Sequence, residues 1–534
     1  MRTLALVISI ACTGCSLIPS GTYTNEPLPG LFTPQAVTVE RAKLNYSKGL
    51  DPVATDESGV FVGVSISGGG SRAASFGAAI LQELDEIGFL KNLSAISSVS
   101  GGSIPAAYYA LNRNKPQWKW ETFRRLMATD FLTPFIRSYL LPTNLARTAL
   151  TNFDRSDLMA DTFDDTIFHG ATFANLNQTT GPKLLINATS VTAGGEKFIF
   201  SEESFIILNS DISKFGISRA VMASGAFPGV FNNVTLAKFN SDLEEDYKHF
   251  QLTKSSSHSA KRLTPKHYEH LLDGGPSDNL GVNSLMLAAR IYADQRVLEK
   301  KRFNGCIIFA IDAAPEAKLT SLQLREKPDL RRWYDFFVDT NVLAATDALL
   351  VRQRRDFLRS IDSSRVWRTP TVGLFELVLP PMGREWTPEE EAAAALLKKA
   401  ACRIWHFTFE TLDDMWVSPE ELTEYRADLR RLVSRIETNY RLTGPKGCNP
   451  EMLQEALYET ARILVWYAED GTYLKGTCLA ADEMGLSIDR CKRLLAGPES
   501  ADAAAPLTFR APRSKRPADV SGDDWVRSPM TCTK

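Results

Sequence analysis

The chemistry of this chain centres on a serine among small residues and an aspartate followed by two glycines. Ser100 lies in Ser98-Val99-Ser100-Gly101-Gly102. Small neighbours two residues either side are what the tight strand-to-helix turn of a nucleophile elbow needs. Serine stands where the G-x-S-x-G pattern has its first glycine. Upstream, Ser67-Gly68-Gly69-Gly70-Ser71-Arg72 places unencumbered backbone N–H groups where a helix begins. Helix starts favour negative charge. A hole for an oxyanion, with a serine to generate one, suggests acyl transfer.

A serine hydroxyl is a poor nucleophile until a base takes its proton. Histidine is the usual base, and in the α/β-hydrolase order it follows the acid. His406 is the histidine well after Asp273, and Ile404-Trp405-His406-Phe407 reads as a packed helical stretch. His267 and His270 read as loop residues. A carboxylate must then act, held within reach of the serine and partly desolvated. Asp273 ends an apolar pair, and Gly274-Gly275 lets it approach another turn. The oxyanion would take N–H groups from Gly68 to Ser71, each donor worth on the order of 3 kcal/mol. Arg72 would add charge or brace the loop by a salt bridge.

The elements that position these residues alternate. Phe61 to Ile66, Ala95 to Val99, Lys183 to Val191, Lys197 to Ser201 and Cys306 to Ile311 read as strands, with helices at 73–87, 104–112 and 282–299. That alternation predicts an α/β fold, three layers with a mostly parallel central sheet. Ligands in such folds sit at the carboxyl ends of strands, where both glycine turns and Asp273 fall. Residues 117–153 crowd Trp118, Trp120, Phe123, Phe131, Phe135, Ile136, Tyr139, Leu140 and Leu141 among arginines. Packed helices and a lipid-handling cap explain them equally well.

Four blocks together resemble the patatin-like phospholipase family: Gly68-Gly69-Gly70-Ser71-Arg72, Ser98-Val99-Ser100-Gly101-Gly102, Ala223-Ser224-Gly225-Ala226-Phe227-Pro228 and Asp273-Gly274-Gly275. They occur in the family's order. The resemblance implies a Ser-Asp dyad with Ser100 as nucleophile and Asp273 as base. It places Gly68, Gly69, Gly70 and Arg72 in the oxyanion block. It also implies cleavage of lipid acyl esters, such as those of phospholipid or lysophospholipid, with no metal or other cofactor. An acyltransferase or thioesterase on the same dyad, or a non-catalytic envelope lipoprotein, are the alternatives.

Two rival motifs fall short. Gly68-x-Gly70-x-x-Ala73 fits a dinucleotide fingerprint, but the second strand ends at Ser100 and not at an acidic residue. A phosphate-binding loop needs Gly-Lys-Ser/Thr, which is missing here. Lys+Arg 61 against Asp+Glu 63 gives no basic surplus for nucleic acid. No C-x-x-C or Cys/His cluster suggests a metal.

The N-terminus reads as targeting. Met1-Arg2, the apolar run Leu4 to Cys12 and Thr13-Gly14-Cys15-Ser16 resemble a bacterial lipoprotein signal with Cys15 lipidated. The resemblance implies a membrane anchor in the cell envelope, and Ser16 points to the outer membrane. The expected organisation is a signal at 1–14, a lipidated tether at 15–58 and a catalytic domain at 59–315. A helical C-terminal region at 316–497 and a disordered tail at 498–534 complete it. Thr387-Pro388, Ser418-Pro419 and Asn449-Pro450 mark capped helix starts. Cys306 reads as a small buried hydrophobe, and pairing among the later cysteines is not legible from spacing.

Overall fold

The computed structural model describes residues 25–27, 58–176, 181–239, 267–298, 301–315, 350–352, 354, 371–373, 401–412, 420–466 and 472–496. The signal segment, Cys15, most of the tether, the Thr387 helix start and the tail lie outside the described residues.

The strands are β1 (Val60–Ile66), β2 (Leu93–Val99), β3 (Lys183–Ser190), β4 (Glu196–Phe200), β5 (Val234–Lys238), β6 (His267–Asp273), β7 (Gly305–Asp312), β8 (Thr371–Gly373) and β9 (Ala401–Thr408). They form one sheet in the order β5-β6-β3-β2-β1-β7-β9-β8, with β4 also paired to β3. The middle is parallel: β3 with β2, β2 with β1, β1 with β7, β7 with β9. Antiparallel pairs flank it at β3/β6, β5/β6, β3/β4 and β8/β9.

β1, β2 and β7 are buried along their whole length, as parallel strands covered on both faces must be. Alternation divides β1 between two cores. Val60, Val62, Val64 and Ile66 join Phe76, Ile80, Leu453 and Leu457 on one face. Phe61 joins Leu285, Ala289 and Tyr292 on the other. Helices Gly70–Ile87, Ser103–Asn112 and Pro450–Trp466 therefore cover one face, and Val282–Leu298 covers the opposite one. The expected three-layer α/β architecture is present.

The C-terminal region is largely helical, as expected, yet it also extends the sheet. β9 lies beside β7 in parallel register, Ala310 opposite His406. This corrects the helical reading of Ile404 to Phe407: a short apolar aromatic run has no periodicity that tells strand from helix. Cys306 faces Cys402 in that register, and the two form a disulfide. Cys306 is thus a bonded cysteine, not only a small hydrophobe. Cys478 and Cys491 form a second disulfide. His267 and His270 are on strand β6, not a loop; both are exposed. Asn449 caps the Pro450–Trp466 helix by accepting the Met452 N–H at 2.8 Å. From the expected tether, Asn25 docks on β5, exchanging two 2.8 Å hydrogen bonds with the Ala237 backbone.

Candidate active site

The glycine turn leaves the carboxyl end of β1. Ser67 N–H donates to Ile311 O at 2.9 Å, and Ser67 Oγ accepts from Ala313 N at 2.9 Å. Gly69 has φ 141° and Gly70 φ 58°, where side chains are strained. At Gly70 a Cβ would also lie 2.3 Å from Asn439 O. The Gly70–Ile87 helix starts here. Its amides divide sharply. Gly68 N–H donates to Asn279 O at 3.2 Å and Ser71 N–H to Asn439 O at 2.7 Å. The amides of Gly69 and Gly70 have no partner among the described residues. Of the four expected oxyanion donors, these two are left to meet a ligand.

Ser100 follows β2 with φ 51°, a left-handed conformation that costs a non-glycine residue about 1–2 kcal/mol. Its surroundings hold it there. A Cβ on Gly101 would stand 2.2 Å from Gly70 O, and one on Gly102 2.5 Å from Ser67 O. The two glycine turns therefore lie backbone against backbone. Ser100 N–H donates to Ser224 Oγ at 2.8 Å, Ser103 Oγ–H donates to the same oxygen at 3.1 Å, and Ser224 Oγ–H donates to Asn187 O at 2.6 Å. Ser98, in the place of the expected first glycine, is fully buried within β2 without breaking the turn.

The block around Ser224 also anchors the aspartate. Gly274 N–H donates to Ser224 O and Asp273 N–H to Ala226 O, both at 3.0 Å. Asp273 ends β6, opposite Ala188 of β3. A Cβ on Gly274 would lie 2.4 Å from Asn187 O, so glycine is needed for this approach. The Asp273 carboxylate is buried, accepts Gly275 N–H at 2.8 Å and lies beside the Ser100 side chain. Burial pushes its pKa up to about 6, against the opposing pull of the Gly275 N–H and the Ser100 hydroxyl. Ser100 and Asp273, far apart in the chain, are brought side by side.

A family match accords with this geometry: the model of the patatin-like phospholipases fits residues 64–286, from β1 into the helix after Asp273. Residues 64–286 are a patatin-like phospholipase domain. No curated protein matches the chain in sequence. Among solved structures it is similar to human GIVD cytosolic phospholipase A2, at 14% identity and TM-score 0.42, over 87% of this chain and 66% of that one. The chain thus spans just under two thirds of the human chain it matches. It is also similar to VipD from Legionella pneumophila, at 14% identity and TM-score 0.24, over 82% and 90% of the two chains. A third match is a chain of the ExoU–SpcU complex of Pseudomonas aeruginosa, at 13% identity and TM-score 0.18, over 82% and 71%.

Beyond the patatin-like domain, a segment after the Glu420–Val433 helix completes the site. Arg72 is buried, and its guanidinium donates to Ala313 O at 2.7 Å, to Ile436 O and to Thr438 Oγ1 at 3.0 Å. It braces the glycine loop through two carbonyls and a hydroxyl. Tyr440 Oη–H donates to Gly225 O at 2.6 Å, and Phe131 N–H donates to Tyr440 O at 3.0 Å. Burial, and then the nearby Asp273 charge, push the Tyr440 phenol up, so it stays protonated. Asn439 and Tyr440 carried no sequence signal: no motif or periodicity links them to a turn hundreds of residues earlier.

The histidines stand elsewhere. His406 Nε2 lies 3.0 Å from Asp312 Oδ2, where Arg354 also binds. Burial alone would raise the Asp312 pKa, but Arg354 and then His406 hold it well below the usual carboxylate range. His270 Nδ1 is 3.0 Å from Thr235 Oγ1 at the sheet's edge. Among the described residues no group of three or more His, Cys, Asp or Glu is placed to hold a metal ion.

Proposed function

We propose that the protein hydrolyses acyl esters of membrane lipids with Ser100 as nucleophile and Asp273 as its base. The observation that carries this reading is the strained Ser100, set beside a buried carboxylate and two unpartnered amides. The patatin-like phospholipase match supports the substrate class. Asp273 takes the hydroxyl proton as Ser100 Oγ attacks the ester carbonyl. The oxyanion of the tetrahedral intermediate receives the Gly69 and Gly70 N–H groups. Collapse breaks the ester bond, and the proton held by Asp273 passes to the departing alcohol. Water then gives its proton to Asp273 and attacks the acyl-serine. Fatty acid leaves and Ser100 regains its proton.

Ser100→Ala and Asp273→Asn should each abolish ester cleavage while leaving the fold intact, read by mass spectrometry of products from a mixed lipid panel. Full activity in either variant excludes the dyad. His267→Ala and His270→Ala should keep their activity; a large loss would instead favour a histidine base.

We further propose that Cys15 is lipidated and holds the protein at the envelope membrane, with residues 16–58 as the tether. The Cys306–Cys402 and Cys478–Cys491 disulfides suit the oxidising compartment such a protein would occupy. Cys15→Ser should release the protein from membranes, and unchanged membrane association would exclude the anchor.

A further inference from the structure

The aromatic stretch 117–153 divides into two unlike halves. Trp118, Trp120 and Phe123 pack with Tyr108 and Tyr109 in one cluster. Trp120 Nε1–H donates to Asp85 Oδ2 at 3.0 Å. That half is core. The helices Leu132–Tyr139 and Pro142–Leu150 contain no buried residue. Ile136, Leu140, Leu141, Leu145 and Leu150 are 46%, 63%, 51%, 42% and 64% exposed. They are five of the eleven large apolar side chains exposed among the described residues, gathered in one short stretch, while the other six are scattered. Contiguous apolar exposure of this kind marks an interaction face.

We infer that this face docks on an anionic phospholipid surface. Between Phe131 and Phe153 the charged residues are Arg137 and Arg147, with no acidic side chain among them. Arg147 is half-buried and faces Asp161, and Asp130 and Asp154 flank the stretch, so the exposed charge of the face itself is Arg137. An apolar face of that sign complements anionic headgroups over an acyl layer. Arg147 lies over the Phe153 ring at 3.6 Å, and Tyr139 stacks on Phe135 at 6.2 Å. Both keep a polar end beside an apolar body, as interfacial residues do. The face is also continuous with the site. The Phe135 ring lies 5.8 Å from Phe231, which lies 5.6 Å from Tyr440, whose hydroxyl binds Gly225 O. The docked surface would deliver its lipid to the rim of the Ser100 site.

The choice of lipid as partner rests on the hydrolase reading, but docking is separable from catalysis. The test uses the full chain carrying Ser100→Ala, so vesicles stay intact and any N-terminal anchor is retained. Hydrogen exchange is followed with and without phosphatidylcholine vesicles, plain or containing phosphatidylglycerol. The expected result is slowed exchange in residues 132–150 with anionic vesicles, less with plain ones, and no change around exposed Ile207. In a Cys15→Ser background, where no acyl anchor masks the effect, Leu140→Ser with Leu150→Ser should weaken vesicle association at least about tenfold without altering the melting temperature. Absence of vesicle association, association without protection of 132–150, or equal protection by plain vesicles each overturns the inference. So does protection that grows with protein concentration alone, which would assign the face to a second copy. Failure of the hydrolase reading would show separately, as wild type that cleaves no ester.

Discussion

Replacing Asp273 by asparagine should remove activity and stabilise the protein above neutral pH. Burial raises the Asp273 pKa from 3.8 to about 6. Two units correspond to about 3 kcal/mol against the ionised form. Because the folded value is the higher one, the folded state binds more protons between the two values. Stability therefore falls as pH rises through that window, and the full cost is carried above about pH 6. Asparagine keeps the shape and an oxygen to accept the Gly275 N–H but never ionises. Thermal melts of Asp273→Asn and wild type, taken across the window, should differ by up to about 3 kcal/mol near pH 8 and converge near pH 4. Activity runs the other way, since the base must be ionised. With a soluble short-chain ester, kcat/KM should rise through pH 6 and stand about tenfold below its plateau at pH 5. A flat profile across that range, or an asparagine variant less stable than wild type near pH 8, would refute the argument that burial tunes this carboxylate.

Ser100→Gly should be inactive yet more stable than Ser100→Ala by about 1 kcal/mol, because glycine relieves the left-handed strain; equal denaturant midpoints would deny that strain. Arg72→Lys cannot satisfy all three acceptors of the guanidinium, so it should cost about 1–3 kcal/mol of stability and lower kcat more than it raises KM. Gly101→Ala forces a Cβ to 2.2 Å from Gly70 O, and should cut kcat about a hundredfold or more by shifting the oxyanion loop. Replacing both Cys478 and Cys491 by serine opens a link of sequence separation 13 and should lower unfolding free energy by about 2–3 kcal/mol in urea melts.

What could be read from the sequence was whatever lies in local pattern. β1, the glycine turn and β2 were legible because continuous apolar runs meet residues that only a tight turn requires. Ser100 and Asp273 were legible by residue type once no histidine suited the role. The division of labour within the oxyanion loop was not, because it depends on which amides a distant carbonyl already occupies. Asn439 takes the Ser71 N–H and leaves those of Gly69 and Gly70, and nothing in either segment's composition announces that contact. β9 was misread for a related reason: its neighbours in the sheet, not its own periodicity, make it a strand. Ser224 stands within a recognisable small-residue block, but its place between Ser100 N and Asn187 O is set by the fold and not by that block.

These contacts change the physical role of the C-terminal region. A loop of three glycines has high conformational freedom, whereas oxyanion stabilisation depends on donors fixed before the reaction begins. The patatin-like domain supplies the loop but not all of its restraint. Arg72 reaches Ile436 O, 364 residues further along the chain, and Ser71 is held by Asn439. Tyr440 ties the same segment to Gly225, next to the serine that positions both Ser100 and Gly274. β9 and the Pro450–Trp466 helix then bind this region to β7 and to the Gly70–Ile87 helix, through strand pairing and the 2.7 Å hydrogen bond from Trp466 to Glu83. The restraint on the glycine loop is thus transmitted from packed helices and a sheet rather than from the turn itself. It follows that loosening the 436–440 segment should impair the oxyanion donors while leaving Ser100 and Asp273 side by side, and kcat should fall with little change in the pH at which activity appears.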